Sequence, residues 1–160
     1  MAPQPRRGVT RGYVRGLIAA CLVVAVALLV AVWGFTSLLG SASPVQTESV
    51  PRWLAPVLVV IALVALATTM WQQALALLRG RVHPAWTTMF VGSLLAYLVW
   101  CLGGTLGGLH IEETWLSVYA WVLVPIWFVS CLAFWAVLVR RVYTELPPPR
   151  WPWERDEPSE

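Results

Sequence analysis

The sequence predicts an all-α integral membrane protein of four transmembrane helices with both termini in the cytoplasm. Three observations carry this. Hydrophobic residues make up 59 % of the 160 residues and charged ones 12 %, about half the charged share of a soluble domain. Four charge-free apolar runs, Leu17–Leu39, Trp53–Leu78, Ala85–Leu109 and Thr114–Val139, each reach the roughly 20 residues a helix needs to cross a bilayer. Every basic residue is arginine, and ten of the eleven fall on one side once the runs are threaded through a membrane: Arg6, Arg7, Arg11, Arg15, Arg79, Arg81, Arg140, Arg141, Arg150 and Arg155, with Arg52 opposite. The positive-inside rule makes that side cytoplasmic.

The chain divides into an N-terminal cytoplasmic tail, 1–15, a transmembrane domain, 16–139, with helices at about 16–39, 54–78, 86–109 and 115–139, and a C-terminal tail, 140–160. The first run follows four arginines and ends in Gly40–Ser43. It resembles a signal peptide in its flanks, but its apolar core exceeds the 7–15 residues of one, so an uncleaved helix is expected. The second run carries the polar stretch Thr68-Thr69-Met70-Trp71-Gln72-Gln73. Thr68 and Gln72 share one helix face, Thr69 and Gln73 the next, and in lipid such carboxamides seek other helices, interfacial water or another subunit. The third run ends in two glycine pairs, Gly103-Gly104 and Gly107-Gly108. Pro125 lies inside the fourth run, where a missing donor and a ring clash predict a kink. The C-terminal tail is rich in proline and charge and cannot bury a core. Trp151 and Trp153 suit it to the membrane surface, and its prolines to an extended contact with a partner.

Several function classes are excluded or disfavoured. A net charge of +3, with arginines at helix ends, gives no nucleic-acid face. No Asp, Glu, Lys or Arg lies within a run, whereas proton and ion pumps and voltage sensors need intramembrane charge. Cys21, Cys101 and Cys131 lie singly inside apolar runs and read as small packing residues rather than a disulfide framework or a zinc site. The absence of lysine and asparagine, whose codons are rich in adenine, suggests a GC-rich bacterial genome, and with it the bacterial cytoplasmic membrane.

Three constellations remain. Gly103 with Gly107 and Gly104 with Gly108 form overlapping GxxxG patterns, a strip on which another helix backbone can lie closely; alternatively, four glycines end the helix. Gln72, Gln73, Tyr97, Trp100 and Trp127 could line a site for an apolar or lipid-like ligand, although packing alone also explains buried tryptophan. His110, Glu112 and Glu113 could hold a transition metal; the competing reading is that the acids complement the N-terminal dipole of the fourth helix. The preferred expectation is a non-enzymatic accessory or scaffold protein without cofactor, packing through the glycine strip of the third helix against a second copy or a larger membrane complex. Ligand binding in the bundle is the alternative, and a metal site the minority reading.

Overall fold

The computed structural model describes residues 11–40, 50–79 and 83–143. Its elements are α1 (Arg11–Gly40), α2 (Leu54–Leu78), α3 (Trp86–Leu106), α4 (Ile111–Thr114), α5 (Val118–Trp121) and α6 (Leu123–Tyr143). All are helices, and 4 segments are long and apolar enough to cross a membrane, the last running from Ile111 through α6 to Arg141. A lipid-immersed backbone must bond within itself, which is why these apolar runs resolve as helices.

The helices run alternately up and down. α2 and α3 make the most extensive pairing, followed by α3 with α6 and α1 with α6. The α2–α3 register is antiparallel and close: Gly107 lies against Leu54, Gly103 against Leu58 and Gly92 against Thr69. The core between them holds Leu66, Met70, Met89, Trp100, Trp127 and Phe134, all almost wholly buried. α1 is peripheral: 17 % of its apolar window is buried, against 28, 44 and 39 % for the other three spans. Its outward Gly12, Gly16 and Gly34 have open space beside them. Its exposed valines and leucines, such as Val23 and Leu38, face the position of lipid, where exposure of an apolar side chain carries no penalty.

α1 begins at Arg11, inside the stretch expected as N-terminal tail, and α6 runs to Tyr143, past the expected 139. Two boundaries differ more deeply from the sequence expectation. α3 stops at Leu106 instead of running to 109, and the fourth span is broken twice before α6 begins at Leu123. At the first boundary Gly108 adopts φ +89°. Leu109 N–H bonds the Gly104 carbonyl (2.9 Å) and Gly108 N–H the Thr105 carbonyl (3.2 Å). This paired pattern is a Schellman cap, and it needs a residue that tolerates left-handed backbone. At the second boundary Ser117 accepts from Tyr119 N–H to start α5. Pro125 has no N–H to give the Trp121 carbonyl, and the helix lapses for one residue at Val122, whose backbone stays helical (φ −65°, ψ −24°). The expected mid-helix kink is therefore realised as an interruption just before the proline.

Candidate functional site

The segment between α3 and α6 is folded back onto the bundle, and its backbone carbonyls are met by side chains from α1 and α3. Tyr97 OH donates to the Trp115 carbonyl at 2.9 Å. Trp100 Nε1 reaches the Glu113 carbonyl at 3.4 Å, and Cys101 Sγ the Thr114 carbonyl at 3.5 Å. From α1, Trp33 Nε1 donates to the Tyr119 carbonyl at 3.1 Å, and Ser37 Oγ pairs with Tyr119 OH at 3.2 Å. Trp33 also packs edge-on against Trp100, ring centroids 5.1 Å apart. Short helices leave most of their carbonyls without an internal partner, so these donors make the broken span tolerable inside an apolar layer.

Tyr97, Trp100 and Trp127 are thus buried as expected, but their polar atoms are committed to backbone. Trp127 Nε1 donates to the Ala62 carbonyl of α2 at 3.1 Å. Gln73 lies eleven residues further along α2 than Ala62, about 16 Å at 1.5 Å per residue. The five residues expected to line one ligand site are spread over both ends of the bundle, and Gln72 is exposed on its surface.

The glycine strip is occupied from within. A Cβ on Gly103 would strike Leu58 Cδ2, and one on Gly107 would strike Leu54 Cδ2. A Cβ on Gly104 would come within 2.7 Å of Thr114 Cγ2 and 3.0 Å of Leu109 Cδ1. Gly108 contacts nothing and serves the cap. The two readings of these glycines, close helix approach and helix ending, are divided among them, and the helix that approaches is the chain's own α2.

His110 and Glu112 are exposed, and Glu113 is partly buried. His110 precedes α4 with extended backbone and both acids lie in the single turn of that four-residue helix, apart from the long α6 whose dipole they were expected to complement. Among the described residues no group of three or more His, Cys, Asp or Glu side chains could hold a metal ion, so the three are not gathered into a ligand set.

The face-sharing of the polar stretch holds: Thr69 and Gln73 are buried, Thr68 and Gln72 exposed. Both threonine hydroxyls return to the Ala65 carbonyl at 2.8 Å. Gln73 is different. It is 3 % exposed, yet neither Oε1 nor Nε2 has a hydrogen-bond partner, and Trp135 Nε1 is likewise buried and unpartnered. Both residues line one narrow cleft with Ala76, Leu77, His83 and Ala85, offering about 10 Å³ of water-sized space. That is close to the volume needed for a single water or one oxygen atom, far from that of a drug-sized ligand. Sequence reading singled out Gln73 but missed Trp135, His83 and Ala85 as its neighbours. The signal was faint: two helix ends and a tryptophan one helix away.

No curated protein and no solved structure matches the chain. A family model matches residues 9–160, which takes in α1 to α6. The chain belongs to the family of unknown function DUF6121.

Proposed function

We propose that this protein is a non-catalytic subunit of the bacterial cytoplasmic membrane, with both termini in the cytoplasm, that pairs with a second copy of itself through the outer face of α2. The observation that carries the reading is Gln72, an exposed carboxamide in an apolar span. It lies seven residues before the α2 C-cap at Arg79, about 10 Å from the helix end. The 25-residue α2 is some 37 Å long against a hydrocarbon layer of about 30 Å. Gln72 therefore faces acyl chains, where a polar group gains from a partner helix.

A second copy supplies that partner simply. A carboxamide is both donor and acceptor, so two related by a two-fold axis along the membrane normal satisfy each other. The buried hydroxyls of Thr69, Ser93, Thr114 and Ser130 bond nearby backbone carbonyls, which supports a structural interior rather than a reactive one. The arginine distribution supports the orientation.

The test is association in bilayers. Gln72→Cys should cross-link two copies. Gln72→Leu should weaken dimerisation about 3- to 18-fold, from roughly 0.6–1.7 kcal/mol per interhelical hydrogen bond, without unfolding an exposed site. A protein that stays monomeric at high protein-to-lipid ratio, or a dimer indifferent to Gln72→Leu, overturns the proposal. A hetero-complex lost in Gln72→Leu without any homodimer would replace the second copy by a different subunit.

A further inference from the structure

Buried polar atoms without partners are rare, and three of them converge here. Gln73 Oε1, Gln73 Nε2 and Trp135 Nε1 are unsatisfied and their residues line the same cleft. Ala85, the N-cap of α3, also lines it and makes no side-chain cap hydrogen bond. Trp86 N–H bonds the Pro84 carbonyl at 2.9 Å, and an alanine offers no side-chain oxygen to the N–H groups of Thr87 and Thr88 that follow. The unpartnered side-chain groups give three donors, two on the Gln73 nitrogen and one on the Trp135 indole, against the oxygen Gln73 Oε1; the start of α3 adds N–H groups, the last turn of α2 adds carbonyls, and the Cys131 thiol lies beside Gln73. Such a set fits an oxygen with several lone pairs and negative charge.

The position narrows the ligand. Leu77, His83 and Ala85 belong to the end of α2 and the approach to α3, so the mouth lies at the membrane surface, where headgroups sit. It is the end of the bundle that carries Arg79 at the α2 C-cap and Arg140 and Arg141 in the last turn of α6. Those cations offset the carbonyl ends of α2 and α6, which alone would disfavour an anion. We infer that the cleft between α2, α6 and the start of α3 binds a phosphate-type oxyanion, one oxygen directed at Gln73 and Trp135 and the rest lying toward His83 and Ala85 at the mouth. A phospholipid headgroup and free inorganic phosphate share this chemistry.

The experiment uses the full chain, delipidated in a maltoside detergent, with indole N–H resonances followed by NMR and the Trp135 signal assigned by its loss in Trp135→Phe. Short-chain phosphatidylglycerol and inorganic phosphate are titrated separately. The expected result is a saturable downfield shift of the Trp135 resonance, with affinity at least about fivefold weaker in Gln73→Leu and unchanged in Gln72→Leu. Gln73→Leu removes polarity while keeping volume, so loss of fold does not confuse the reading, and the remaining indole signals report it directly. A shift with the lipid at concentrations where phosphate gives none assigns the oxyanion to a headgroup; equal shifts with both assign it to a soluble ion. A Trp135 resonance that neither probe moves, or Gln73→Leu binding like the natural chain, means that the cleft holds only water and overturns the inference.

Discussion

Glycine in this protein has opposite meanings at different positions, and single substitutions should separate them. Gly16 and Gly34 have open space around them inside α1. Alanine there should stabilise by about 0.5–1 kcal/mol, because only the conformational cost of glycine is removed. Gly103→Ala meets the tip of Leu58, a flexible side chain that can rotate away. Gly104→Ala meets Thr114, which is β-branched and whose hydroxyl bonds the His110 and Ile111 carbonyls at 3.1 and 3.3 Å. It cannot turn aside, so Gly104→Ala should cost more, about 1–3 kcal/mol. Gly108→Ala should cost about 1–2 kcal/mol through backbone strain alone. Denaturation in detergent micelles reads all of these, and a uniform response would contradict the packing described. Gln73→Leu belongs to the same set with inverted sign. In phospholipid-free micelles it relieves an unsatisfied buried carboxamide and should raise stability by about 1–3 kcal/mol.

At the scale of elements, the broken fourth span depends on side chains far away in sequence. Tyr97→Phe deletes the donor to the Trp115 carbonyl, and Trp33→Phe the donor to the Tyr119 carbonyl. Each should cost about 0.5–1.5 kcal/mol. The loss should show as faster amide exchange confined to residues 107–122, with α2 and α3 unchanged, since a locally opened unit exchanges independently of the core. These long-range bonds also explain what the sequence left hidden. The four spans were legible because apolar length alone decides a membrane helix. Pro125 announced the second break, but the first was not legible, because Leu116 and Val118 are as apolar as any helix interior. Only donors on α1 and α3 make an interruption there affordable. The turn itself was half legible: glycine pairs announce either a close approach or a cap, and only the position of α2 shows that Gly103 and Gly107 serve the first and Gly108 the second. The Gln73 cleft was legible as one residue and not as a site, since Trp135 and His83 reach it only through the antiparallel path of the chain.

For the whole molecule, the fold makes direction in the bilayer measurable. The single crossing by α3 between them places His83 and His110 on opposite surfaces. Both are exposed, so cysteine at either position is open to a thiol reagent. The natural cysteines interfere little: Cys101 and Cys131 are buried and Cys21 is half-buried within α1. In the orientation proposed from the arginine distribution, His83 lies in the cytoplasm. A membrane-impermeant maleimide added to intact cells, with the outer membrane opened where there is one, should therefore label His110→Cys and spare His83→Cys. Inverted membrane vesicles should show the reverse. The acidic Glu112–Glu113 turn would then lie on the outer surface, and the Gln73 cleft would open on the cytoplasmic leaflet, whose lipids it would meet first. Labelling of His83→Cys from outside would invert the molecule and move the cleft to the opposite leaflet. Labelling of both from the same side would mean that α3 does not cross, and the four-span architecture would fail with it.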